Sequence, residues 1–413
     1  MPKKVSIKST GDTMGTAALI AETAAGKPTP AASDSWWDDG SLTEFGAVLF
    51  ASLPRSDQRR KGVEYLRGLL GVRGRRSIRN IAALLGGSAT EQSLHHFVCS
   101  STWDWAPVRR ALARHLLQAV PPLAWVAQPM VIPKAGENSV GVDRQYVPEV
   151  GRVLNAQRAI GVWAASEHTS SPVNWRLHLP SSWLGDRTRR RQASIPEDLG
   201  ARSIGDMTVD ACLETAREWR LPPRPVVLDA RNMDMPMTVR RFGEAGVPFL
   251  ARINSTSPLA VTDPLRLGRG PAVQPAGRLI ESDREAPRPV VWREAGEGSS
   301  TLHTSVVSAL SVRLPRAAPG GPAARDLCLV GVGSGPRRRL GQLWLTDMTD
   351  APLPTLVTWS RLPFRTERDF RQTTDRLGIR DFAGRSYGGW HRHVTLASAA
   401  HAVSVLGSSP KRP

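Results

Sequence analysis

After Leu123 the apolar runs of this 413-residue chain come in an order that leaves few folds open. Three strand-like runs follow one another, "LAWVAQPMVIP", "NAQRAIGVWAA" and "VNWRLHLP", with turn-forming residues between them. That succession is the pattern of an antiparallel meander. The texture then alternates: a helical segment "TVDACLETAREW", a short strand "RPVVLDA" carrying Asp229, a second helix "MTVRRFGEAG" and a strand "PFLARI". A meander followed by helix–strand alternation predicts a mixed α/β sheet and not a doubly wound parallel one.

The segment before Leu123 reads differently. Residues 1–40 are rich in Ala, Thr, Ser, Pro and Gly and lack apolar periodicity, the composition of a disordered arm. Residues 41–120 read as a helical domain. "SLTEFGAVLFASL" opens with Ser41 and has Glu44 three residues on, a capping box. "SDQRRKGVEYLRGLLG" and "SIRNIAALLGG" each begin at Ser and stop at Gly, as helices do. "ATEQSLHHFVCSS" and "WAPVRRALARHLLQAV" complete the set, and in the last Val108, Leu112, Leu116 and Val120 fall on one face. The pair formed by "SIRNIAALLGG" and "SATEQSLHHFVCS" has the length of a helix-turn-helix, and a plain helical bundle gives the same pattern. His95 and His96 on its second helix suit packing or phosphate contact better than metal ligation.

Residues 121–254 form the first part of the α/β core. Residues 255–335 interrupt it with Pro, Gly and Arg around strand-like pieces such as "RPVVWREA", "HTSVVSALSVRL" and "DLCLVGVG". That is the texture of a β-rich insertion with long loops, expected to stand outside the core sheet. Residues 336–406 return to the core and close with two helices, "TERDFRQTTDRLG" and "GGWHRHVTLASAAHAVSVL"; residues 407–413 are a short basic tail.

The charge narrows the partner. The chain carries 55 Lys and Arg against 37 Asp and Glu, a net charge of +18, and 48 of the basic residues are arginine. A planar guanidinium donates two parallel hydrogen bonds to phosphate, so the surplus favours a polyanion. The run "GDRTRRRQAS" sets Arg187, Arg189, Arg190 and Arg191 near Trp183, and "GSGPRRRLG" sets Arg337, Arg338 and Arg339 in a second strip. Both suit DNA backbone contact. The three cysteines, Cys99, Cys212 and Cys328, show neither a CxxC pair nor a histidine at zinc spacing, which excludes a disulfide scaffold and argues against a zinc module. No apolar run approaches the ~20 residues of a membrane span. The start "MPKKVSIKSTGDTMGT" lacks the apolar stretch of a secretory signal, so a cytoplasmic location is expected.

Four stretches carry a resemblance: "GVDRQYVPEVGRVLNAQRAIGVW", "WRLHLPSSWLGDRTRRRQASIP", "VVLDA" and "LGIRDFAGRSYGGWHRHVTLASAAHA". In this order the chain resembles the DDE transposases of bacterial insertion sequences from about residue 45 to 406. The resemblance implies an RNase H-like mixed sheet with a helical N-terminal DNA-binding domain and a β-rich insertion between the second and third acids. It implies Mg²⁺-dependent cutting and joining of DNA, in which acids hold two metal ions ~4 Å apart. Asp229 matches the second acid and Glu367, opening "TERDFRQTTDRLG", the third; both are the implied metal ligands.

The first acid is missing. Its place in "VAQPMVIPKAG" is taken by Gln128 with Pro129 beside it, although Pro133, Lys134 and Gly136 of the next turn match the family. Around the third acid the family has an aromatic residue seven before, an arginine four before and a lysine seven after; here these are Ser360, Pro363 and Thr374. A neutral amide holds Mg²⁺ less well than a carboxylate. The expectation is therefore a decayed or domesticated transposase-family protein that binds double-stranded DNA and cuts poorly, with a homodimer on DNA and no membrane partner. The alternative is an active enzyme that uses Mg²⁺ and recruits Asp143 as a substitute acid. His391 and His393, two apart on the last helix, face different ways and suit packing.

Overall fold

The computed structural model describes residues 38–86, 88–147, 151–262, 273–283, 285–295, 300–315, 325–333 and 340–407. Nearly all of the arm, the Arg337–Arg339 strip and all but the first residue of the basic tail lie outside them.

The N-terminal part is helical: α1 (Asp39–Leu49), α2 (Ser56–Gly71), α3 (Ile78–Leu85), α4 (Ser88–His95) and α5 (Trp105–Ala119), with a π-helical turn His96–Ser100 extending α4. Asp38, not Ser41, caps α1, accepting the Ser41 N–H at 2.8 Å. A carboxylate three residues upstream takes the donor that the capping-box reading assigned to a later turn. Ser77 caps α3 where the sequence puts it, accepting the Asn80 N–H, whereas Ser56 and Gly71 are the first and last residues of α2, whose N-cap Arg55 makes no side-chain bond. Trp103 is buried and its indole N–H bonds the Phe97 carbonyl, while Asp104 caps α5. His95 and His96 are exposed.

The core follows as β1 (Ala124–Pro133), β2 (Asp143–Val147), β3 (Arg152–Ala165), β4 (Ser170–Leu177), the short helices α6 (Ser181–Leu184) and α7 (Arg187–Gln192), α8 (Ile204–Leu213), β5 (Val226–Asp229), α9 (Met235–Ala245) and β6 (Phe249–Ile253). β3 lies antiparallel between β1 and β4, and β5 and β6 run parallel to β1. The order β4-β3-β1-β5-β6 is the RNase H-like mixed sheet, as expected. Trp125, Trp163 and Trp175 on its first three strands are fully buried. At ~25 cal/mol per Å² and about 200 Å² each, every one of these rings contributes roughly 5 kcal/mol of burial.

The insertion holds β7 (Pro258–Val261), β8 (Val273–Pro275), α10 (Ala276–Glu281), β9 (Arg288–Ala295), β10 (Ser300–Arg313) and β11 (Leu327–Gly333), and β12 (Leu340–Thr346) leads out of it. β12 pairs antiparallel with β6, β11 with β12 and β10 with β11, so the insertion extends the core sheet. The expectation of a separate β-rich body is corrected. The buried strand "LCLVGVG", with all seven residues inside, needs neighbours on both edges and finds one of them through the core strand β12.

α11 (Leu353–Asp369), a π-helical turn Phe370–Thr374 and α12 (Tyr387–Gly407) complete the chain. α11 packs across β1, β3, β4, β5 and β6. α12 is buried from Gly389 to Ala402 between β4 and helices α2 and α5. Its polar side chains are paired inside: Arg109 of α5 bonds His391 and Thr395, and Tyr65 of α2 bonds His393.

Candidate functional site

The site begins with register. β1 and β5 pair in parallel as Trp125↔Val226 and Val126↔Val227, so two residues on Gln128 stands level with Asp229 and on the same face. Gln128 meets α11 there: the Thr366 hydroxyl is 3.4 Å from its Oε1. Behind it, on β3, its partner is Gly161, where a Cβ would stand 2.7 Å from the Trp175 ring. Only glycine lets the two strands and the indole close up at this level. Gln128, Asp229 and the last turns of α11 thus come to one end of the sheet.

Glu367 lies near the C-terminal end of α11 and does not open a helix. The helix starts at Leu353, because Pro354 sits in its first turn, where a missing N–H costs nothing, and it tolerates Pro363 inside. Two positions that the resemblance aligns with family contacts, one on this helix and one in the π-helical turn after it, lie inside. Ser360 is 1% exposed with its hydroxyl on the Val357 carbonyl, and Thr374 is 0% exposed against His401. Neither side chain can reach a bound strand.

Asp229 and Glu367, the acids implied by the resemblance, are each paired with an arginine. Arg231 Nε lies 2.9 Å and 3.1 Å from the two carboxylate oxygens of Asp229, with Nη2 2.6 Å from Oδ2. That fork keeps the Arg231 guanidinium charged and raises its pKa. On the next strand Arg252 is the register partner of Asp229. Burial and then the charge of Arg231 lower the pKa of Arg252, while Asp229 opposes the shift. Glu367 pairs with Arg371 one turn on.

These residues do not fit a two-metal centre. Mg²⁺ requires several anionic or water oxygens in an octahedron. Here one position is a neutral amide, both carboxylates are engaged by guanidinium groups, and a second arginine adjoins Asp229. Among the described residues no group of three or more His, Cys, Asp or Glu is arranged to hold a metal ion.

Asp143 is not brought to this edge. It opens β2 and is paired with Ala156, which on its other side pairs with Pro133 of β1. Pro133 is five residues beyond Gln128, which at 3.3 Å per residue is about 16 Å along the strand, and β2 lies two strands from β1. Among the described residues the exposed carboxylate accepts only the N–H of Arg144.

The described Arg strip divides in two. Arg189 lies over the Trp183 ring at 5.0 Å, and Arg190 bonds the carbonyls of Pro196 and Leu199, so both are structural. Arg187 and Arg191 are exposed, and neither is paired with an acid among the described residues. Lys134, matched in the family turn, is likewise an anchor: its Nζ bonds the Phe382 carbonyl at 2.7 Å, and burial lowers its pKa to about 8. Sequence reasoning missed Arg231 and Arg252. The signal for Arg231 was its place two residues after Asp229; for Arg252 none existed, because its neighbourhood depends on strand pairing.

The sequence pattern of a family described as "DDE superfamily endonuclease" matches residues 48–309. No curated protein matches the chain. Among solved structures, the chain is similar to one described as "Cryo-EM structure of piggyBac transposase synaptic complex with hairpin DNA (SNHP)". The identity is 10%, the TM-score 0.38, and the alignment covers 89% of this chain and 70% of that one.

Proposed function

The chain belongs to the DDE superfamily of endonucleases, and from that premise we propose that it is a transposase-family protein that binds double-stranded DNA and is impaired in cutting and joining it. One observation carries the impairment: Gln128 occupies the strand position level with Asp229, and Asp229 is itself forked by Arg231. A two-metal reaction needs acids that converge on the ions, and the acids left here face arginines. The net charge of +18 and the exposed Arg187 and Arg191 support backbone contact with DNA.

Two measurements test this reading. Duplex binding should weaken steeply with salt; with ~6 phosphates neutralised, log K falls against log salt at a slope near −5. Cleavage of the DNA that flanks the gene, in Mg²⁺ and in Mn²⁺, should be weak for the natural protein. Robust cutting abolished by Asp229→Ala would defeat the impaired reading, and its further loss in Asp143→Ala would establish Asp143 as the substitute acid despite its place in β2.

A further inference from the structure

We propose that the edge formed by the ends of β5 and β6 is a seat for a phosphodiester of the bound DNA strand, held by Arg252 and Arg231. The proposal rests on DNA as the partner and adds the place and chemistry of one contact.

The first ground is geometry. Asp229 and Arg252 are register partners on adjacent parallel strands, so their side chains leave the same face about 4.8 Å apart. Ligands of open α/β sheets bind in the crevice beyond the carboxyl ends of such strands. Asn254 donates its side-chain amide to the Arg231 carbonyl, tying the turn after β5 to the end of β6. The two guanidinium groups are thus set on a braced edge.

The second ground is charge and donor count. One carboxylate, Asp229, faces two guanidinium groups, which leaves a net charge of +1. Glu367 near the end of α11 and Arg371 in the π-helical turn after it cancel each other. Arg231 spends Nε and Nη2 on Asp229, so its Nη1 hydrogens remain. Arg252 is half-buried and has no hydrogen-bond or ion-pair partner among the described residues. A phosphodiester brings one negative charge and unprotonated oxygens, which matches a residual charge of +1 and a set of unspent N–H donors. A divalent cation meets the opposite: an excess of positive charge and a carboxylate already taken.

The Asp229–Arg231 pair is two-fifths exposed, with side-chain exposures of 38% and 43%. Pairs of that kind add little to stability, so substitutions here should leave the fold intact. This gives the test a sign. With a generic 30-base-pair duplex in EDTA, Arg252→Ala should weaken binding about tenfold and make the salt slope shallower by about one. Arg252→Lys should recover part of the loss. Asp229→Asn should tighten binding several-fold, since it removes the charge that competes for the fork. A metal-binding acid predicts no such gain in EDTA. The proposal is overturned if Arg252→Ala matches the parent in affinity and slope, or if Asp229→Asn weakens binding while its melting curve is unchanged. If the parent binds no duplex at 50 mM salt, the DNA reading fails, and calorimetric titration with inorganic phosphate decides the seat. Heat in the parent that vanishes in Arg252→Ala sustains it, and no heat in the parent overturns it.

Discussion

Thr374 Oγ1 lies 2.9 Å from His401 Nδ1, and the far nitrogen of the same ring bonds the Ser170 carbonyl at 2.7 Å. The bridge ties the π-helical turn after α11 to α12 and to the start of β4, with all three residues buried. The position that the resemblance aligns with a lysine is here a structural link.

Restoring that lysine should therefore damage the protein. Thr374→Lys puts an ammonium where nothing can pair with it and leaves His401 Nδ1 without its donor. The cost of an unpaired buried charge is about 3 kcal/mol or more. Denaturant titration should show a fall of that size in unfolding free energy, with no gain in duplex affinity for the fraction that folds. Tighter binding at unchanged stability would mean that position 374 faces solvent.

Acid should unfold the protein through the same rings. His393 and His401 each have one hydroxyl and one carbonyl partner, the pairing of a neutral ring with its hydrogen on Nε2. Burial lowers both to about 4 from an ordinary 6.5. Between those values the unfolded chain binds protons that the folded chain refuses, so stability falls as pH drops from 6.5 towards 4. The loss is on the order of 3 kcal/mol per ring. Melting temperatures at pH 7, 5.5 and 4 should decline, and His401→Gln should flatten the decline. A flat profile for the natural protein would contradict the neutral-ring assignment.

Arg109 joins α12 and β4 to α5. Its guanidinium bonds Thr395 Oγ1 and His391 on α12, and Asn174 Oδ1 and the Trp175 carbonyl on β4. Asn174 in turn bonds Glu214, which pairs with Arg176. Burial lowers the Arg109 pKa to about 9, a cost offset by this set of donors and acceptors. Arg109→Ala should lose about 3–5 kcal/mol in urea titration because it strands several buried polar groups. Arg109→Lys should recover little, since one ammonium cannot span partners that lie apart. Full recovery by lysine would show that charge alone matters there.

What the sequence disclosed and what it hid differ by the range of the interactions. Gln128 and Asp229 were legible because each ends an apolar run whose strand character is local. The helix of Glu367 was misbounded because Pro354 and Pro363 look like breaks, although one sits in a first turn and the other is tolerated where α11 packs on the sheet. β2 was not read as a strand because "DRQYV" is polar and mostly exposed, with only Val147 buried. Its pairing with β3 makes it one. The joining of the insertion to the core depends on β6 meeting β12 far along the chain, for example Leu250 with Thr346, and no local pattern encodes that contact. The same applies to Arg252 beside Asp229.

Repairing the first acid alone should not rebuild a metal site. Gln128→Asp returns a carboxylate to the strand position level with Asp229, but Arg231 still occupies both Asp229 oxygens and Arg252 still adds its charge. Pro129 also keeps the end of β1 without one ladder donor. Gln128→Asp with Arg231→Ala removes the fork and turns the local sum of these four groups from +1 to −1. Mn²⁺ titration followed by electron paramagnetic resonance should find negligible binding to the natural protein and to Gln128→Asp, and measurable binding to the double variant. Flanking-DNA cleavage should stay low even in the double variant, because Ser360 and Thr374 remain inside the core and a misplacement of ~1 Å costs about a hundredfold in rate. Tight Mn²⁺ binding by the single variant would show that Arg231 yields to the metal, and the fork would then not be the barrier.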